Sequence, residues 1–138
     1  MNTPGTKAVV GFTGGKEQTL GDVKVQLDTP FASLFLTALE RKEDLANCKR
    51  ALITVLARQS NTGFSYFTVD NKVLKNGGPP ILLEPVKATV TIVGRPIVAV
   101  NVLDHDGRHT DRTLAVTDGR FTLNGAKDKA IYYEVLFR

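Results

Sequence analysis

The chain has no tryptophan, one cysteine, one methionine and two histidines in 138 residues. With Cys48 alone, an intrachain disulfide, a paired-thiol redox centre and a thiolate zinc site are excluded. Set in Leu45-Ala46-Asn47-Cys48, this cysteine reads as a small, half-buried side chain. Without tryptophan, any surface that stacks on a sugar must be built from the 7 phenylalanines and 3 tyrosines. No apolar run approaches the roughly 18 residues that a membrane helix needs. Met1-Asn2-Thr3-Pro4-Gly5 offers neither the basic nor the apolar segment of a signal peptide, so the chain reads as a cytosolic protein or as a piece of a longer one. Concentrated charge is missing too. The 18 Lys and Arg against 14 Asp and Glu give +4, spread from Lys7 to Arg138 with only short pairs at Arg41-Lys42 and Lys49-Arg50. A nucleic-acid face clusters its cations, so neither nucleic acid nor a membrane is an expected partner.

What is present is alternation. Val86, Ala88, Val90 and Ile92 alternate with Lys87, Thr89 and Thr91, and after Gly94-Arg95-Pro96 the pattern resumes at Val98, Val100 and Val102. A period of two marks a strand with one buried face. With further turn signals at Asp106-Gly107 and Asp118-Gly119, the stretch from Gly77 to Leu123 reads as a β-meander. Val23, Val25 and Leu27 give another half-buried strand, Lys7 to Phe12 a short one, and Phe31 to Leu39, apolar on both parities, a central strand that is buried on both faces or passes under another element. Leu36 to Ile53 has some helical character, but its apolar stripe is interrupted by Lys42, Glu43, Lys49 and Arg50, which favours strand, charged turn, strand. Gly119 to Leu123 and Lys129 to Phe137 read as a closing strand pair. At this length the prediction is one domain, a linker stub at 1–5 followed by an all-β antiparallel sandwich, jelly-roll or immunoglobulin-like, of about 8 to 10 strands over 6–138.

Catalytic chemistry finds little support. No GxSxG elbow, GxGxxG or Walker spacing occurs. Glu84 and Glu134 would make a glycosidase pair only if the fold set them across a cleft, and Glu84, before Pro85, reads as a buried or edge structural carboxylate. Asp104, Asp106 and Asp111, with His105 and His109, form the densest polar cluster. Their spacing resembles the start of a calcium loop, but Arg108 occupies the next ligand position, so a solvated Asp-Gly turn is the expected reading, with calcium as a minor alternative and no other cofactor. Gln59 to Pro80 is the longest irregular segment, where loops most often carry function. Its rings at Phe64, Tyr66 and Phe67 serve either as a sugar platform or as a plug for the open end of the sandwich. A ligand site at the loop edge, centred on Tyr66 and drawing on Asn61, Phe64, Asp70 and Asn71, combines stacking with hydrogen bonding. The outward residues Lys24, Gln26, Lys87, Thr89, Thr91 and Asn101 read as solubilising cover without rings.

Val10-Gly11-Phe12-Thr13-Gly14-Gly15, Thr29-Pro30-Phe31-Ala32, Arg50 to Arg58 running into Asn61-Thr62-Gly63, Gly78 to Val86 and Tyr132-Tyr133-Glu134-Val135 together resemble the C-terminal non-catalytic β-domain that follows the barrel in large bacterial glycoside-hydrolase-like proteins. The likeness runs over nearly the whole chain from Thr3. It implies a non-enzymatic module within a larger secreted protein, extracellular or periplasmic, whose partner is a polysaccharide or the parent catalytic domain. Two roles follow: carbohydrate binding, or a structural clamp on the parent barrel with no ligand of its own.

Overall fold

The structure, a computed structural model, describes residues 1–138. In chain order it contains β1 (Thr6–Gly11), β2 (Glu17–Leu20), β3 (Val23–Leu27), β4 (Ala32–Ala38), β5 (Arg50–Leu56), β6 (Gln59–Thr62), β7 (Ser65–Phe67), β8 (Lys72–Lys75), β9 (Gly78–Leu83), β10 (Lys87–Ile92), β11 (Ile97–Leu103), β12 (His109–Leu114), β13 (Arg120–Asn124), the single-turn helix α1 (Gly125–Asp128) and β14 (Tyr132–Phe137). Ten of these strands form the expected antiparallel sandwich. A six-stranded sheet runs β1-β4-β5-β14-β11-β12, and a four-stranded sheet runs β13-β10-β3-β2. Between them lies one core of 24 buried residues, to which the four-stranded sheet gives Val25, Leu27 and Val90 and the six-stranded sheet Leu34, Ile53, Val100 and Tyr133. No helix is long and apolar enough to cross a membrane.

The meander expected between Gly77 and Leu123 is not there. β10 belongs to the four-stranded sheet and β11 to the six-stranded one, so Gly94-Arg95-Pro96 carries the chain from one sheet to the other. Consecutive strands of one sheet and strands of two facing sheets show the same alternation, because both bury one face. The Arg95 guanidinium anchors the crossover by donating to the Leu45 carbonyl and, at 2.6 Å, to the Cys48 carbonyl, and it lies 3.8 Å over the Phe137 ring. Cys48 beneath it is fully rather than half buried, and burial pushes its thiol pKa up. For the same reason β13 and β14 do not pair. α1 hands the chain between sheets, with the Asn124 side chain accepting from Lys127 N and the buried Asp128 accepting from the Tyr133 hydroxyl at 3.0 Å and from Asn124 N at 3.1 Å. The short β2, which pairs with β3, has no counterpart in the sequence reading. Residues 1–5, expected to be a linker stub, turn back on β1, where the amino terminus donates to the Ala8 carbonyl and the Pro4 carbonyl accepts from Leu45 N.

Two segments expected from sequence come out differently. Arg41 to Asn47 is a turn between two strands, as expected, but β4 lies second in its sheet and is buried on one face only. Ala32, Leu34 and Leu36 point into the core, while Phe35 is open to solvent. The segment from Gln59 to Pro80 is not irregular. β6 pairs with β9 and β7 with β8, making a β-ribbon arm that contributes no residue to the core. Gly77 makes the arm's return possible, since a Cβ there would lie 2.4 Å from the Thr62 carbonyl oxygen at a φ of 65°.

Candidate functional site

The two outer faces of the sandwich differ in chemistry. On the four-stranded sheet Lys24, Gln26, Lys87, Thr89 and Thr91 face out, as expected for solvated cover. Asn101, grouped with them from sequence, is on the other sheet, because β11 is. The outer face of the six-stranded sheet combines exposed apolar side chains with one polar cluster. Val10, Phe35 and Leu56 lie toward the β1 end, next to Phe12 and Phe31, whose ring centroids are 4.9 Å apart. Tyr132, opposite Thr54, lies nearer the centre.

At the centre is Glu134, a charged residue only 2% exposed. The register explains its neighbours: Leu52, Glu134 and Asn101 stand side by side on β5, β14 and β11. Glu134 Oε1 accepts from Arg50 Nε at 2.7 Å and lies 2.6 Å from Arg50 Nη2, while Oε2 lies 2.9 Å from His109 Nε2 and accepts from Asn101 Nδ2 at 3.3 Å. A carboxylate offers about four lone-pair sites, and here four donor groups are ranged around them. The Glu134 carboxylate is thus held by its partners. It fixes the orientation of Arg50 and His109, which are themselves 55% and 56% exposed at the side chain.

This cluster opens into a hollow of ≈ 450 Å³ whose apolar surface comes from Leu39, Leu52, Leu103 and Tyr132. Its rim is the β11–β12 hairpin. The Asp104 carboxylate accepts from Asp106 N at 2.9 Å and Arg108 N at 2.8 Å, and these backbone hydrogen bonds lower its pKa. Asp106 pairs with Arg108 at 2.9 Å, and Gly107 supplies the φ of 80° that closes the turn. Of the three aspartates weighed for calcium, Asp104 and Asp106 are thus spent on the turn. Asp111 lines a separate groove between the β12 and β13 edges, and no three His, Cys, Asp or Glu side chains converge as metal ligands.

The residues of the expected loop-edge site all lie on the arm. Asn61 and Phe64 share a hollow of ≈ 270 Å³ with Ile81, and Phe64 is 5.9 Å from Tyr66 between ring centroids. Tyr66, Asp70 and Asn71 lie outside that hollow. The Asn61 amide donates to the Asn76 carbonyl and the Asp70 carboxylate accepts from Lys72 N, so both serve the arm's own turns. Its rings plug nothing, being exposed. Glu84 sits at the arm's base in a two-point pair with Arg58, at 2.8 and 3.1 Å, which lowers its carboxyl pKa. Glu84 and Glu134 line different hollows, so no glycosidase pair is assembled. No family model matches this chain, and neither does any curated protein or solved structure.

The Arg50–Asn101–His109–Glu134 cluster is a feature that sequence reasoning missed. One signal for it was present: a glutamate within Ile131, Tyr133 and Val135, the strand that was expected to tuck into a sheet. A carboxylate in such a strand needs donors from its neighbours.

Proposed function

We propose that this chain is a non-catalytic carbohydrate-binding module, an accessory part of a larger secreted glycoside-hydrolase-like protein, whose ligand lies on the outer face of the six-stranded sheet. The observation that carries this reading is the nearly buried Glu134, ringed by four donor groups at the floor of an apolar-lined hollow. A sugar ring presents hydroxyl oxygens that accept hydrogen bonds and a C–H face that prefers apolar contact. Arg50, half exposed and held in place, supplies donors, and His109, with Nε2 turned to Glu134, offers its other ring nitrogen to a sugar hydroxyl. Tyr132, Leu39 and Leu103 supply the apolar surface. A concave site with a few convergent polar groups suits orientation and binding. This moves the proposed ligand from Tyr66 at the arm to Tyr132 on the sheet.

The test is affinity electrophoresis of the whole chain through gels containing soluble β-glucans, xylans or mannans. Retardation by at least one of them is expected, lost in Tyr132→Ala and retained in Tyr66→Ala. The clamp reading has its own support in Val10, Phe12, Phe35 and Leu56, apolar and exposed on the same sheet. It would take over if no polysaccharide retards the chain while Phe35→Lys lowers the melting temperature of the longer protein.

A further inference from the structure

Phe35 and Tyr132 stand in one row on the outer face of the six-stranded sheet. Phe35 on β4 is opposite Thr54 on β5, and Thr54 is opposite Tyr132 on β14, so a single strand separates the two rings. All three point away from the core, because their neighbours Leu34, Leu36, Ile53, Val55 and Tyr133 fill it. Solvent reaches both rings. Val102 is opposite Tyr133, which sets Leu103 beside Tyr132, and Leu103 is opposite His109 in turn, so the row runs on into the hollow. It crosses five strands, with a ring, a small hydroxyl side chain and a ring on the first three.

The spacing of that row is set by the backbone. Neighbouring strands lie about 4.8 Å apart, close to the rise of one residue in an extended β-1,4-linked pyranose chain. A chain laid across the strands therefore advances one sugar per strand and keeps step with the row. Laid along a strand it would not, since same-face positions there recur at about 6.6 Å. Two rings on alternate strands, facing the same way, meet alternate sugars. A chain with a two-fold screw, as in β-1,4-glucan and β-1,4-mannan, presents equivalent faces at every second residue, whereas the three-fold twist of β-1,4-xylan and the coiling of β-1,3-glucan do not. Charge favours a neutral chain too: Arg50 is paired with Glu134, and Asp106 at the edge of the hollow with Arg108.

Resting on the reading that this face binds carbohydrate, we infer that the ligand is a neutral, extended β-1,4-linked glucan or mannan chain lying across the strands, and that Phe35 is its second stacking position. Tyr132 stacks on the sugar that Arg50 orients, and Phe35 stacks on the next sugar but one. Thr54, the small side chain between them, leaves room for the intervening residue.

Titration calorimetry with β-1,4-linked gluco- and manno-oligosaccharides, from disaccharide to hexasaccharide, tests this, with the β-1,4 xylo and β-1,3 gluco series alongside. For the unaltered chain, affinity should climb with length to about five residues, one per strand of the row, and then level. The gluco or manno hexasaccharide should bind at least tenfold more tightly than its xylo and β-1,3 counterparts. Phe35→Leu, which keeps an apolar side chain and removes the ring, should weaken the hexasaccharide about fivefold and leave the disaccharide unchanged, while Phe35→Tyr binds as wild type. Tyr132→Ala should weaken every length. Binding that needs Tyr132 but ignores Phe35→Leu, stops gaining at the disaccharide, or is as tight for the xylo or β-1,3 series overturns this inference and leaves the sheet-face reading standing. No heat with any saccharide, or binding indifferent to Tyr132→Ala, overturns both.

Discussion

Removing Arg50 should cost more stability than removing Glu134, although Arg50 is the more exposed of the two. Arg50→Met leaves a carboxylate 2% exposed with His109 and Asn101 as its remaining partners and strips both donor groups from Oε1. Breaking a buried pair in this direction costs about 3 to 5 kcal/mol. The space vacated by a half-exposed guanidinium admits some water, which places the expected loss at about 3 kcal/mol, the low end of that range. Glu134→Gln runs the other way. The groups it abandons, Arg50 and His109, are 55% and 56% exposed and rehydrate in place, so the expected loss is about 1 kcal/mol. For a chain of this length the gap of about 2 kcal/mol corresponds to roughly 6 to 8 °C in Tm. Urea unfolding of both variants, checked by calorimetry, measures it. If Glu134→Gln proves as costly as Arg50→Met, the carboxylate is not the group that needs its partners, and the account of the cluster fails.

Three further outcomes follow from particular contacts. Tyr133 has a raised pKa, through burial first and then the nearby Asp128 charge and hydrogen bond. Its contribution is complete below the ordinary tyrosine value of 10 and is lost as pH rises through the folded value, so wild type should weaken in alkali more steeply than Tyr133→Phe. At neutral pH, chemical unfolding should put that variant about 1.5 to 3 kcal/mol below wild type, since a hydrogen bond to a buried carboxylate is removed. Gly119→Ala should lose about 2 kcal/mol or more, because its Cβ would fall 2.3 Å from the Ile92 carbonyl oxygen at a φ of 73°; a Tm within 1 °C or so of wild type would refute that clash. Asp104 has a lowered pKa, so its hold on the β11–β12 turn is present above the usual aspartate value and lost as pH falls through the folded one. An NMR titration should show the Asp106 and Arg108 amides moving with that midpoint, and Asp104→Ala should abolish the movement.

The sandwich itself was legible because Val23-Val25-Leu27 and Ala88-Val90-Ile92 announce one buried face each, and that is all a period of two reports. It does not name the sheet, which is why the crossover at Gly94-Arg95-Pro96 read as a hairpin. The arm was hidden for a related reason: neither of its faces packs on the core, so apolar positions such as Tyr66, Phe67, Val73 and Leu74 follow no single periodicity. The double parity of Phe31 to Leu39 was real, but its second face is the open one of the sheet. Arg50, Asn101, His109 and Glu134 come from four strands, and no local spacing could have grouped them. Only the register of β5, β14, β11 and β12 does so.

The most direct measurement of the central claim is an amide chemical-shift titration of the labelled chain with whichever soluble oligosaccharide retards it, or with the same β-glucan, xylan and mannan series if none does. The account predicts saturable shifts at Arg50, Asn101, His109 and Tyr132, with the arm unmoved. Shifts confined to Asn61–Asn71, or none with any saccharide, would contradict it.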